Sequence, residues 1–164
     1  MRSHYFIFTC LLVAASGCAG PSAGPSAVAS AGGTANTAVS LIDLTNVERS
    51  RAGLAILKEN TPLNQAAQIQ AEQTAKAGVL GHSLPSATYP NPQDRLSAVG
   101  YDWQAWGENL AAGQQSPAAA VDGWMQSSGH RANILSASFT EIGTGYALDA
   151  AGRPYYAQVF ARPR

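Results

Sequence analysis

Three side chains in this sequence have the type and setting for chemistry: His82, Glu108 and His130. His130 falls in the stretch from Gly123 to Leu135, which reads as the last turns of a helix, a glycine stop at Gly129, and a histidine on the turn beyond. His82 comes four residues after Gly78, which stops another helix. Glu108 lies between Gly107 and Asn109, after Trp103 and Trp106. An apolar wall would raise its carboxyl pKa and a nearby cation would lower it. Two imidazoles and a carboxylate supply three ligands with an open position, the arrangement of a reactive zinc site or another divalent-cation site. Without metal, the same trio is a hydrogen-bonded cluster that ties three loops together. A histidine at a helix C-terminus is favoured as imidazolium by the helix dipole, which opposes metal binding. In a hydrolase, Glu108 would act as base and a histidine-bound zinc would polarise water. Within residues 40–164 no Gly-x-Ser-x-Gly elbow is present, and neither cysteine lies near these residues.

The elements that position these residues read as follows. Ser40 and Asp43 fit a capping box that opens a first helix. Leu41, Leu44, Val47 and Leu54 lie mostly on one face, and Gly53 offers a stop. Thr61-Pro62 opens a second helix, with threonine as cap and proline at the first position. Its face of Leu63, Ala66, Ala67, Gln70, Ala71, Thr74 and Ala75 is small, which implies close approach to another element. Asp94 to Val99 forms a short helix ended by Gly100. Ser116-Pro117 announces another, with Val121, Trp124, Met125 and Ser128 on one face. Residues 142–148 and 155–161 then switch to strand character around a short turn, an antiparallel hairpin. Helices first and a hairpin last indicate an α+β fold, with helices packed on an antiparallel sheet.

The chain has 164 residues, with ten Lys+Arg against ten Asp+Glu. It holds no basic patch and no zinc-finger spacing, so no nucleic-acid partner is expected. Residues 1–17 read as a signal peptide, with a basic start and an apolar segment too short to span a bilayer. Ala15-Ser16-Gly17-Cys18 resembles a lipobox, so Cys18 is expected to carry lipid and hold the protein on a membrane of the cell envelope. The alternative is ordinary cleavage and secretion. Cys10 and Cys18 are the two cysteines, which leaves no pair for an internal disulfide. Residues 18–39, rich in Ala, Gly, Pro and Ser, read as a flexible tether, and residues 40–164 as the folded domain, expected to be a monomer.

The ordered motifs from Leu41 to Phe160 resemble the CAP superfamily, the cysteine-rich secretory, venom-antigen and pathogenesis-related proteins with their bacterial secreted relatives. The resemblance rests on Asn46 and Arg49, Leu63…Ala67…Ala71 leading to His82, and Gly107-Glu108-Asn109-Leu110. It continues through Trp124…Ser128-Gly129-His130-Arg131-Ala132-Asn133-Ile134-Leu135, Ile142-Gly143-Thr144-Gly145 and Gln158-Val159-Phe160. It implies an α-β-α sandwich whose cleft is lined by two histidines and two acidic residues. His82, Glu108 and His130 match three of these positions. The fourth acid commonly stands three residues after the tryptophan, and here Ser127 follows Trp124 at that spacing. The loss of a carboxylate weakens a two-acid mechanism and a tight metal site. The expected function is therefore a non-enzymatic binding module with a cleft of His82, Glu108, Asn109, Trp124, Ser127 and His130, and aromatic walls from Tyr101, Trp103 and Trp106. It would take a small lipid-like ligand or a divalent metal. The alternative is a metal-dependent, protease-like hydrolase using His82, His130 and Glu108.

Overall fold

A computed structural model describes residues 31–164 of the chain. In chain order the elements are α1 (Ala31–Arg51), β1 (Lys58–Glu59), α2 (Thr61–Ala77), α3 (Pro92–Ala98), β2 (Trp103–Ala112), α4 (Pro117–Gln126), α5 (Ser128–Ile134), β3 (Glu141–Leu148) and β4 (Pro154–Pro163). The signal segment, Cys18 and the tether up to residue 30 lie outside the described residues. Among the described residues no helix is long and apolar enough to cross a membrane.

Three helices start by one rule, a proline in the first turn behind a small polar cap, because the proline ring is set to helical φ and its missing N–H would have no helical partner. Asn60 Oδ1 accepts from the Leu63 amide at 3.2 Å, so Asn60 caps α2 in place of the expected Thr61. Ser116 Oγ accepts from Ala119 at 3.2 Å, as the sequence indicated. At α3, Asp94 Oδ2 accepts from the Asn91 amide at 2.9 Å, which starts the helix two residues before Asp94.

The four strands form one sheet in the order β1-β3-β4-β2. β3 and β4 make the expected hairpin, from Glu141↔Ala161 to Leu148↔Pro154. β2 pairs antiparallel with β4, placing Glu108 opposite Val159. β1 pairs parallel with β3 through Lys58↔Glu141 and Glu59↔Ile142, so the sheet is antiparallel apart from one short edge. Side chains alternate across β4: Tyr156 and Phe160 enter a core with Leu41, Ile42, Trp124 and Ile134. Ala157, Val159 and Ala161 enter a second core with Leu63, Ala67, Leu96 and Tyr101. Helices α1, α4 and α5 thus cover one face and α2 and α3 the other, an α-β-α sandwich.

Helix α2 lies directly on β3. A Cβ added at Gly143 would overlap the Leu63 carbonyl carbon and the Asn64 nitrogen, and one at Gly145 would overlap the Ala67 carbonyl. The same helix finishes the margin of the sheet beyond the two-residue β1. Asn64 Oδ1 accepts from the Thr144 amide at 2.8 Å. Gln68 makes a two-way pair with Tyr146, accepting from its amide at 3.1 Å and donating to its carbonyl at 3.0 Å. Two amide side chains one turn apart stand in for a further strand.

Three expectations are corrected. Ser40 does not open the first helix: its Oγ donates to the Asn36 carbonyl at 2.8 Å, and α1 runs back through residues 31–39 that composition assigned to the tether. The buried face of α1 is Leu41, Ile42, Thr45 and Arg49, while Val47 is exposed. The stretch around Glu108 is a ten-residue strand, not a loop. Gly107, Glu108 and Asn109 have poor strand propensity, and pairing with buried β4 overrides it. Gly129 is not a helix stop: α4 ends at Gln126, Ser127 turns extended (φ −95°, ψ 122°), and His130 is the third residue of a new helix, α5.

Candidate functional site

Glu108 points from β2 toward the α2–α3 side, and its side chain is 1 % exposed. Both oxygens are occupied. His82 Nδ1 lies 2.8 Å from Oε1, and Arg95 Nη2 donates to Oε2 at 2.9 Å. Arg95, on α3 and equally buried, also donates to the His82 carbonyl at 3.0 Å and the Tyr89 carbonyl at 3.2 Å. One guanidinium therefore fixes the carboxylate and the loop that carries the histidine. Sequence reasoning missed Arg95. Its signal was an arginine on the inward face of a short amphipathic helix next to Leu96, a position that demands a buried acceptor.

The His82 ring is bonded to the carboxylate through Nδ1, which assigns the ring proton there in the neutral form and turns Nε2 outward. The side chain is 55 % exposed. Its pKa is raised, first by the hydrogen bond to Glu108 and also by that carboxylate's charge, against burial and Arg95. His130 moves the other way: burial lowers its pKa, and the nearby His82 lowers it further. The N-terminal place of His130 in α5 also reverses the expected dipole effect, since the positive helix end disfavours imidazolium.

These shifts give a first expected result. In a proton NMR titration of the ring signals, His82 titrates above the ordinary 6.5 and His130 below it, and Glu108→Gln moves His82 back toward 6.5. The signs also set stability. The His82 contribution is present below 6.5 and is lost as pH rises through its folded value. The His130 penalty grows as pH falls below 6.5. Together the two histidines favour a stability maximum near 6.5, and coincident titrations would refute the arrangement.

Asn109, on the opposite face of β2, is fully buried. Its Nδ2 donates to the His130 carbonyl at 3.1 Å and to Gln158 Oε1 at 3.2 Å, and its Oδ1 accepts from Asn133 at 2.9 Å. Gln158 continues to Thr45 Oγ1 at 2.6 Å. Asn109 therefore does not line the cleft; it holds the backbone of His130 and joins it to α1. Trp124 is core, 2 % exposed, with Nε1 donating to the Leu110 carbonyl at 2.9 Å. Tyr101, Trp103 and Trp106 pack in or against the core on the other face of the sheet, so the four aromatics do not form one wall. Ser127, Trp124 and His130 do meet, in a groove of about 280 Å³ that also takes in Leu80, Leu110 and Gln114.

The residues do not fit a metal. Among the described residues no group of three or more His, Cys, Asp and Glu side chains could hold an ion. The reason at this site is local: Arg95 occupies the Glu108 oxygen that His82 leaves, and a guanidinium there competes with a divalent cation for the same lone pairs.

The profile described as "CAP: Cysteine-rich secretory protein family" matches residues 42–160. The chain belongs to the CAP family. This CAP domain is 38 % identical over 106 residues to the uncharacterized protein YkwD of Bacillus subtilis, covering 65 % of this chain and 40 % of that one. It is 35 % identical over 122 residues to the uncharacterized membrane protein YlbC of the same species, covering 74 % and 33 %. Among solved structures it superposes on an extracellular SCP-domain protein from Bacillus anthracis with a TM-score of 0.72 and 31 % identity, covering 79 % of this chain and 41 % of that one. The chain thus spans only a third to two fifths of these relatives. Both cysteines of this CAP chain precede the matched residues, so the CAP core is held by packing and by the Thr45–Gln158–Asn109–Asn133 network.

Proposed function

We propose that the protein is an exported, non-enzymatic binding module, held to a membrane by lipid on Cys18, whose cleft between His82 and His130 takes a small ligand as a monomer. One observation carries this reading: a buried Arg95–Glu108 ion pair fixes the ring of a half-exposed histidine. Burying two charges is costly unless they are paired, and here the pair orients a ring that solvent can reach. Export is supported by the leader-like residues 1–17 and by the extracellular relative; the membrane link is supported by the lipobox-like Cys18 and by a relative named as a membrane protein. Balanced charge gives no nucleic-acid surface. The hydrolase alternative has less support, because neither Glu108 oxygen is left to act as base and Ser127 replaces a second acid.

The test is ring-signal NMR of His82 and His130 during addition of small amphiphiles, with zinc as the control that should not saturate either ring. Saturable shifts are expected with the amphiphiles, their affinity falling about tenfold (about 1.4 kcal/mol) in Glu108→Gln. Ester or peptide hydrolysis that Glu108→Gln abolishes would establish the enzyme instead. Cys18→Ser is expected to release the protein from membranes, and a wild type already free in the medium would remove the anchor.

A further inference from the structure

β2 is an edge strand, and its outward groups are unequally satisfied. Gly113 pairs with Pro154 through its amide at 2.8 Å, so the odd-numbered residues 107–113 turn toward β4 and the even-numbered ones turn outward. Two outward carbonyls are capped by side chains: Glu108 by Asn133 Nδ2 at 3.2 Å and Leu110 by Trp124 Nε1 at 2.9 Å. The outward amides of Leu110 and Ala112 have no partner among the described residues, although Leu110 is only 4 % exposed. Gln114 Oε1 is also buried with no partner. Leu110, Ala112 and Gln114 line the same groove as His130, beside apolar Leu80 and Trp124. The Leu110 amide and Gln114 Oε1 therefore belong to residues that line one groove.

We propose that this groove binds an extended peptide that adds to the edge of β2, a backbone carbonyl accepting from Leu110 and a backbone N–H donating to Gln114 Oε1. The proposal rests on the reading of the cleft as a ligand site and names the ligand class. An acyl chain would bury both groups without a partner, each at the full cost of its desolvation, whereas a peptide supplies both partners in one unit. The capped carbonyls of Glu108 and Leu110 bar a long strand. β2 ends at Ala112 and the chain turns at Gly113 (φ 93°), so the edge offers room for a peptide of about four residues. Leu80, half exposed on the loop before His82, offers the apolar cover, and the small Ala111, Ala112 and Ala120 leave room for side chains.

The experiment is amide NMR of the full chain with a blocked tetra-alanine peptide, and with the same peptide N-methylated along its backbone. Shifts are expected at Leu110, Ala112 and the Gln114 side chain, with the methylated peptide at least tenfold weaker. Ala112→Pro puts a ring where an outward amide stood, which obstructs an added strand beside Leu110 and spares the ladder to β4; Gln114→Ala keeps the backbone carbonyl that accepts from Tyr156 at 2.8 Å. Each is expected to weaken binding at least tenfold. Equal binding of the methylated peptide, or unchanged binding in both variants, overturns the proposal. So does a concentration-dependent dimer through β2 that the peptide cannot displace. If the peptide leaves the spectrum unchanged while another small molecule shifts the His82 and His130 rings, the cleft stands and the peptide assignment falls. If nothing shifts either ring, both fall.

Discussion

Gly143→Ala is expected to leave little folded protein, and Gly145→Ala to behave alike. The added methyl at either position would occupy the space of α2 backbone atoms, at Leu63 and Asn64 or at Ala67. No rotamer change relieves a clash with backbone. The helix must lift from the strand, and with it go Asn64 and Gln68 from the β3 margin. Overpacking commonly costs about 1–3 kcal/mol where side chains can yield. Here a loss above about 4 kcal/mol is expected, a large share of the roughly 5–15 kcal/mol that holds a domain of this size. Denaturant midpoints give the measurement. Gly123→Ala, inside α4 with open space around the added methyl, is the control and should stabilise by about 0.5–1 kcal/mol. A Gly143→Ala protein with a wild-type midpoint would show that the helix does not rest on the strand in this way.

The second large effect concerns Arg95. Arg95→Met strands the buried Glu108 carboxylate with His82 as its one remaining partner and frees the carbonyls of His82 and Tyr89. Breaking a buried pair from one side costs about 3–5 kcal/mol, because a desolvated charge is left uncompensated. Removing both charges should cost much less. The double variant Arg95→Met/Glu108→Gln is therefore expected to regain a substantial part of the loss, with a coupling above about 1 kcal/mol in the double-mutant cycle. Additive losses would mean that Arg95 stabilises only through the carbonyls. The single variant is also expected to alter the His82 titration, since the carboxylate that fixes its Nδ1 loses its own anchor.

What the sequence made legible follows the range of each signal. Helix starts at Pro62, Pro92 and Pro117 depend on the proline and its immediate neighbours, and the starts at Pro62 and Pro117 were readable to within a residue. The β3–β4 hairpin is also local, and the small face of α2 announced its close approach correctly. β2 was hidden because Gly107-Glu108-Asn109 favours turns, and only pairing with β4, about 50 residues away, makes it a strand. His130 was read on the wrong end of a helix because Gly129 looks like a stop, while the actual break is the extended ψ of Ser127. The grouping of His82 with Glu108 was expected from their types and settings, but Arg95 was not. Nothing local marks the partner of a buried arginine when the acceptor lies on another element. The aromatic wall failed for a simpler reason: Trp103, Trp106 and Trp124 were grouped by type, and the sheet separates them.

The margin of the sheet at β3 bears on stoichiometry. Asn64 and Gln68 occupy the backbone groups of Thr144 and Tyr146 that another chain would need, and short, charged β1 covers the rest. Growth of the sheet by strand addition is thereby confined to the side of β2. A molecule with one receptive side can pair once, face to face, and then has nothing left to offer a third. Association through the β2 edge alone ends at two copies. At high local concentration, the described sheet disfavours strand-by-strand growth into a fibre.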